Sequence, residues 1–425
     1  MKSKILLLCL ISPWLWHAVQ AQPITIDECY ALARENYPAI RQFDLIAKTS
    51  RLDIQEANLH YLPQVTLSGQ ATYQSEVVDY TEIFGGSPLP SGITLPVLSR
   101  DQYRVLGEIS QLIYDGGQIR QLKDRLRANR QVEESNLEIT LYAINSRINT
   151  IYFSILLMDA QQQQIELSRS NLRHQLEKSE AALANGMAFR SNVSELKAEL
   201  LQYEMQLTEC KSHRTALLKI LSLFTGRMLA EDIELIMPRI EARSASINRP
   251  ELKWFDSRIA LYDAQRHQLR PAYLPKITAF LQGAYGRPTL NMLKNESGPW
   301  LVTGLRFNWS LSQLYSLDNR KRSITLFQQA VDTERETFLL NTKMELVQQD
   351  EQVNKYEQLI KQDEDIIALR AAVTRSAEAQ LENGVITVHE YIQKMNAEHG
   401  ARLNKLLHEI QLRQAIYNQQ FLSGN

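Results

Sequence analysis

Residues 118–185 contain neither glycine nor proline. A helix of roughly 67 residues is on the order of 100 Å long at about 1.5 Å per residue, longer than a compact domain is wide. Residues 317–383 form a second such run. Each run ends on an Asn-Gly pair, Asn185-Gly186 and Asn383-Gly384, and glycine accepts the left-handed conformation that closes a helix C-terminus. A proline-free stretch follows each pair, so the pattern predicts two helical hairpins, 118–225 and 317–423. The returning helices are the shorter partners, and segments 38–61 and 250–273 supply the missing length if each stacks end to end with one of them. Ile165, Leu172, Leu176 and Leu183 recur at steps of seven and four, a near-heptad spacing that suits long helices packed side by side.

The chain also repeats itself. A shift of 212 residues lays Asn36-Tyr37-Pro38 on Asn248-Arg249-Pro250 and Tyr61-Leu62-Pro63 on Tyr273-Leu274-Pro275. Further on, a shift of 198 lays Leu183-Ala184-Asn185-Gly186 on Leu381-Glu382-Asn383-Gly384, and Gly226 on Gly424. The difference falls in a loop that is long in the first copy, 74–102 with Gly85-Gly86, Pro88, Pro90, Gly92 and Pro96, and short in the second, 286–299. The two repeats are 22–226 and 238–425.

Both flanks of each loop alternate with period two. Val65, Leu67, Gly69, Ala71 and Tyr73 share one face, and Gln64, Thr66, Ser68, Gln70 and Thr72 the other. The parity recurs in Tyr103, Val105, Gly107 and Ile109, in Ile277, Ala279, Leu281, Gly283 and Tyr285, and in Leu301, Leu305, Phe307, Trp309 and Leu311. These are strands with one apolar and one wet face, forming β-hairpins 63–114 and 275–311. Such a face suits either a sandwich core or the wall of a membrane barrel. Tyr61 and Tyr73, like Tyr273 and Tyr285, stand about 12 residues apart, nearly 30 Å along the membrane normal once tilted, which favours the barrel's aromatic girdles. The four tyrosines are therefore candidate lipid-interface residues. Four strands cannot close a membrane barrel, whose minimum is about eight, and an open edge cannot lie in hydrocarbon, so the barrel must be shared between chains.

Lys2 and Lys4, the apolar residues 5–16 and Val19-Gln20-Ala21 predict a secretory signal peptide over 1–21. Cys29 and Cys210 then remain, too few for a disulfide scaffold; they either bridge or persist as two inert thiols. Lys+Arg 47 against Asp+Glu 48 gives a formal charge of -1 and no global attraction to nucleic acid. The sequence has no P-loop, dinucleotide fingerprint or Gly-x-Ser-x-Gly. His389-Glu390 and His408-Glu409 lack the second histidine of a zinc helix, as Gln393 and Leu412 stand in its place. No catalytic residue, cofactor or metal site is expected, and the chain is not read as an enzyme.

The order of Ile24-Thr25-Ile26-Asp27-Glu28, Asn36-Tyr37-Pro38, Tyr61-Leu62-Pro63-Gln64-Val65, Tyr114-Asp115-Gly116-Gly117 and the two Asn-Gly tips resembles the TolC-like outer-membrane efflux protein family over essentially the whole of 22–425. The resemblance implies a membrane α+β fold, a trimer whose shared 12-stranded β-barrel, four strands per chain, is continuous with a long periplasmic α-helical barrel. It implies a passive duct in the outer membrane of a Gram-negative bacterium. Its partners would be outer-membrane lipid, a periplasmic adaptor and an inner-membrane pump of RND or ABC type, and its cargo small molecules such as drugs. Asn185, Gly186, Asn383 and Gly384 become adaptor-contact tips, or turns required by structure alone. The family's pore constriction maps onto Glu390 and Gln393, so one of its two carboxylates is absent here. Glu390 is either a ring of like charge favouring cations or an ordinary solvated residue. Where some members link neighbouring helices shut with a tyrosine and an arginine, this chain has Leu381 and Ile386. Rival readings are a type I protein-secretion channel, and a periplasmic coiled-coil tether or adhesin without a pore. The tether has no need of hairpins with one apolar face.

Basic residues gather where the long helices begin, at Arg120, Lys123, Arg125 and Arg127 and at Arg320, Lys321 and Arg322. Cations there oppose the helix macrodipole. They form either a solvated face or a contact with phosphate groups just below the membrane.

Overall fold

The structure, a computed structural model, describes residues 23–78, 97–239, 246–291 and 293–424. The expected signal peptide and the central part of the longer first loop lie outside these residues. Seven α-helices and four strands follow in the order α1 (Ile26–Asn36), α2 (Gln42–Leu59), β1 (Gln64–Tyr73), β2 (Asp101–Tyr114), α3 (Gln118–Ala184) and α4 (Arg190–Thr225). The same pattern then returns as α5 (Pro250–Gln268), β3 (Lys276–Arg287), β4 (Gly298–Asn308), α6 (Leu317–Glu382) and α7 (Val388–Ser423). The two long helices have 67 and 66 residues. No helix among the described residues is long and apolar enough to cross a membrane.

The chain divides into two compact units, Met1–Ile40, Thr140–Arg249 and Leu340–Asn425 in one, Arg41–Ile139 and Pro250–Leu339 in the other. Each draws on both repeats, so the units cut across the duplication. In the first, an apolar cluster of Ile165, Leu172 and Leu176 from α3, Val193, Leu196, Tyr203 and Leu207 from α4, and Ala377, Val388, Tyr391, Ile392 and Met395 from α6 and α7 forms the core. Helix α1 starts from a capping box in which Thr25 accepts from the Glu28 amide and Glu28 accepts from that of Thr25. It buries Ile26, Cys29 and Ala33 on one face against α4. The Tyr152 hydroxyl donates to the carbonyls of Ile24 at 2.8 Å and Ile236 at 2.7 Å, fastening a parallel bridge between Ile24 and Leu235. Cys29 and Cys210 are both buried and free, which settles the alternative left open by the sequence. Burial, with Glu28 and Asp27 nearby, pushes the Cys29 thiol up to about 12, far from the thiolate needed for reactivity.

The second unit holds the antiparallel sheet, ordered β1-β2-β3-β4. Asp115, buried, accepts from the amides of Gly117 and Ile119, each at 2.8 Å, and so caps the start of α3. Tyr262 stacks on Phe327 at 5.7 Å, Phe255 meets Phe338 at 5.9 Å, and the buried hydroxyls of Ser135 and Ser257 pair at 2.9 Å. Strand β4 stops at Asn308, short of the alternation read through Leu311. The Trp309 indole turns to donate to the Tyr273 carbonyl at 2.9 Å, and Leu311–Ser316 form a 3-10 turn.

The residues that align under the two sequence shifts also meet in space. Gly226 ends α4 with φ +67°, and the Asn36 side chain donates to the Leu223 and Phe224 carbonyls at 3.1 and 3.2 Å. A Cβ on Gly226 would stand 2.5 Å from that side chain. In the second repeat Gly424, φ +80°, lies instead against the backbone of Asn248 and Arg249, and the Asn248 amide donates to the Ser423 carbonyl. Gly226→Ala should therefore cost about 1–2 kcal/mol in left-handed strain plus the displaced cap, and Asn36→Ala about 1 kcal/mol. Because Asn36→Ala removes the obstacle, the double variant should be less destabilised than the sum of the two singles in thermal melts. Strict additivity would sink the contact.

Candidate functional site

The register places the alternating apolar residues of all four strands on one face. Val65 opposes Ile109, Leu67 opposes Gly107, and Ala71 opposes Tyr103. The row continues through Val105 opposite Tyr285, Ile109 opposite Leu281, Ala279 opposite Leu305 and Ile277 opposite Phe307. Residues side by side in a sheet point the same way, so this is a single apolar surface. It is uncovered, with Leu67 80% and Leu305 73% exposed. An irregularity between Leu112 and Tyr114 adds Ile113 to the exposed surface without breaking the face above it. Among the described residues, strands β1 and β4 each have an unpaired edge.

Three of the four expected interface tyrosines, Tyr61, Tyr73 and Tyr285, are exposed. Tyr61 precedes β1 in a turn rather than extending the strand, with the Lys123 ammonium 5.8 Å from its ring centroid. Tyr273 differs. The 3-10 turn Arg270–Tyr273 carries it off the strand, half-buried, with its hydroxyl enclosed.

The opposite face is mixed, with Leu106, Trp300 and Val302 on it, and carries a bonded polar group. Glu108 accepts from Gln282 at 2.6 Å and from Arg306 at 3.1 Å, and the Arg306 guanidinium lies 4.8 Å from the Phe280 ring centroid. Arg104 donates to Gln70 at 3.3 Å. Of these residues only Gln70 stood out in the sequence, although Glu108, Gln282, Arg306 and Arg104 share the same parity of their strands.

At the far ends of the helices the two Asn-Gly tips have one geometry. Gly186 N–H donates to Leu183 O and Met187 N–H to Ala182 O, and Gly384 and Val385 repeat this with Leu381 and Gln380, a Schellman closure in both repeats. The side chains of Asn185 and Asn383 reach back to Ala181 O and Ala379 O. Beyond the turns Phe189 is 77% and Val385 70% exposed. The returning helices then diverge. Helix α7 begins with a second capping box, the Thr387 hydroxyl accepting from Glu390 N–H at 3.2 Å and Glu390 accepting from Thr387 N–H at 2.9 Å. Phe189 at the start of α4 has no side-chain bond of this kind. Glu390 is thus an exposed carboxylate already engaged by its own helix, and those bonds hold its pKa below the usual carboxylate range. Gln393 contacts His389, which meets Glu195 of α4 at 2.8 Å.

Further links join the two hairpins near the tips. Lys178 of α3 reaches Glu382 at 2.8 Å and Glu378 at 3.4 Å on α6. Asn396 of α7 bonds Glu199 at 2.8 Å and Tyr203 at 2.9 Å on α4. Buried His399 accepts or donates at Nδ1 to Ser168 at 2.7 Å, and burial lowers its pKa. Leu381 and Ile386 pack onto the apolar cluster. The Thr-x-x-Glu spacing of Thr387 and Glu390 was a readable signal, whereas the contacts between α3 and α6 were not.

Residues 29–227 match the model of a family described as outer membrane efflux protein. The chain has the TolC-like fold of outer membrane efflux proteins. Crystal structures of CusC align with this TolC-like chain at TM-score 0.65 and 14% identity, over 94% of this chain and 92% of that one. The open state of the Neisseria gonorrhoeae MtrE outer membrane channel aligns at 0.63 and 12%, over 94% and 89%. The Campylobacter jejuni CmeC outer membrane channel aligns at 0.62 and 13%, over 94% and 85%. None of the curated proteins matches the chain.

A depressed carboxylate pKa stabilises the fold above the unfolded value, near 4.3, and that contribution is lost as pH falls through the folded value. Amide protection in the first turn of α7, corrected for intrinsic exchange, should therefore drop as pH is lowered below about 4 in the wild type. Glu390→Gln should flatten this dependence. Thr387→Ala should weaken protection at every pH by about fivefold, the equivalent of about 1 kcal/mol of lost cap.

Proposed function

We propose that this TolC-like protein is the outer-membrane channel of a tripartite efflux system in a Gram-negative bacterium, a passive duct for small molecules such as drugs. Three copies join their four-stranded sheets into one 12-stranded barrel, and their helices continue it as a periplasmic tunnel. The observation that carries this reading is the uncovered apolar face of a sheet with two unpaired edges. Strand β1, of 10 residues, is about 33 Å long and spans about 24 Å when tilted by ~45°, the height of a lipid-facing band. In hydrocarbon an unpaired edge is costly, and pairing β1 of one copy with β4 of the next satisfies both. Exposed apolar pairs seven residues apart on α6, Leu340 with Val347 and Ile366 with Val373, support association of the helices as well.

In this reading the tips formed by Asn185, Gly186, Asn383 and Gly384, with exposed Met187, Phe189 and Val385 beside them, receive a periplasmic adaptor. An inner-membrane pump of RND or ABC type supplies the energy. Glu390 and Gln393 line the narrow end, three copies of each. A tether without a pore has no use for the apolar sheet face, and a protein-secretion channel differs in cargo rather than in this architecture.

Two single substitutions one residue apart test the face assignment. Leu67→Arg places a charge on the apolar face at the middle of β1 and should cost about 2–4 kcal/mol of membrane stability, abolishing trimers in outer-membrane extracts. Thr66→Arg, on the wet face, should assemble like the wild type. Equal behaviour of the two variants, or three copies failing to appear by light scattering in mild detergent, would remove the barrel.

A further inference from the structure

We propose that the start of α6 is a docking surface for the anionic headgroups of phospholipids in the leaflet nearest the helices. This rests on the membrane reading of the sheet. Antiparallel pairing brings the beginnings of β1 and β3 and the ends of β2 and β4 to one edge of the sheet, the edge from which α3 and α6 depart. There β4 gives way to Trp309 and to the turn Leu311–Ser316, whose Leu311, Leu314 and Tyr315 are exposed, Tyr315 at 88%. Tryptophan and tyrosine on an uncovered short turn beside an apolar sheet face match the boundary between acyl chains and headgroups. One turn further on stand Arg320, Lys321 and Arg322, all exposed.

Two features show that these charges are not explained by the fold itself. They sit in the first turns of a long helix, where positive charge opposes the macrodipole. Only Arg322 is offset, by Asp318 at 2.9 Å; among the described residues neither Arg320 nor Lys321 forms an ion pair. At the corresponding start of α3, Lys123 bonds Asn58 at 2.9 Å, Arg127 pairs with Asp124 at 2.8 Å and Arg130 with Glu134 at 2.7 Å, while among the described residues Arg120 and Arg125 form no ion pair. What distinguishes the second repeat is that its two unpaired cations follow an exposed apolar, aromatic turn. Charge complementarity and continuity with the lipid-facing sheet select a negatively charged headgroup, anchored by its acyl chains, over a free anion.

The test uses the mature chain purified in a neutral detergent and titrated with phosphatidylglycerol or phosphatidylcholine, with bound lipid counted by native mass spectrometry. Phosphatidylglycerol should bind more tightly than phosphatidylcholine, and R320Q/K321Q should weaken it by about 25-fold at low salt, about fivefold per charge. R320K/K321R should bind as the wild type does. Competition by inorganic phosphate as effective as that of added phosphatidylglycerol would overturn the lipid assignment, as would unchanged binding by R320Q/K321Q. A chain recovered from cells as soluble protein without detergent would overturn the membrane reading and this proposal together. A chain that needs detergent yet shows no headgroup preference overturns the proposal alone.

Discussion

A backbone amide or carbonyl with no water to bond must find its partner within the protein, and that requirement divides this fold. The long helices satisfy nearly all such groups internally, so their placement depends only on side-chain packing. The sheet cannot do so. Among the described residues, four strands in the order β1-β2-β3-β4 leave one edge of β1 and one of β4 unpaired, while the alternating row from Val65 to Phe307 forms one uncovered apolar face. Solvent can tolerate an open edge or an apolar patch, and it is the two together that support the proposed placement in lipid beside further copies.

Much of this was legible because breakers and periodicity are local signals. The absence of glycine and proline located α3 and α6, and the Asn-Gly pairs located their ends. The period-two alternation identified the strands and assigned the correct residues to the apolar face. The failures came where the chain leaves regular structure. Tyr61 and Tyr273 were counted as strand positions by extending the alternation across Pro63 and Pro275, yet one lies in a turn and the other in a 3-10 turn that encloses its hydroxyl. Trp309 and Leu311 continued the pattern of β4 in sequence, but a tertiary bond from the indole to Tyr273 ends the strand first. Contacts such as Lys178 with Glu378 and Glu382 join residues some two hundred positions apart, and nothing in a local pattern announces them.

The duplication is visible in geometry as well as in sequence, and so is its drift. Both repeats close a returning helix with a left-handed glycine, set against the Asn36 side chain in the first and the Asn248 backbone in the second, and both tips have the same backbone bonds. The copies part where side chains decide. The second returning helix has a capping box and the first has Phe189 in its place; the first long helix is capped by Asp115, while the second follows a 3-10 turn. Conservation of backbone closure alongside divergence of side-chain caps is what unequal duties on the two hairpins would produce.

The burial of Cys29 and Cys210 has a practical side. Both thiols are enclosed, and the Cys29 proton is held too firmly for the sulfur to be a nucleophile at neutral pH. Among the described residues the folded protein is therefore nearly blank to a maleimide or a spin label. A cysteine introduced at an exposed position such as Phe189 or Val385 would be the one reactive handle among the described residues, and reporters of distance or mobility could be attached there without first replacing Cys29 and Cys210.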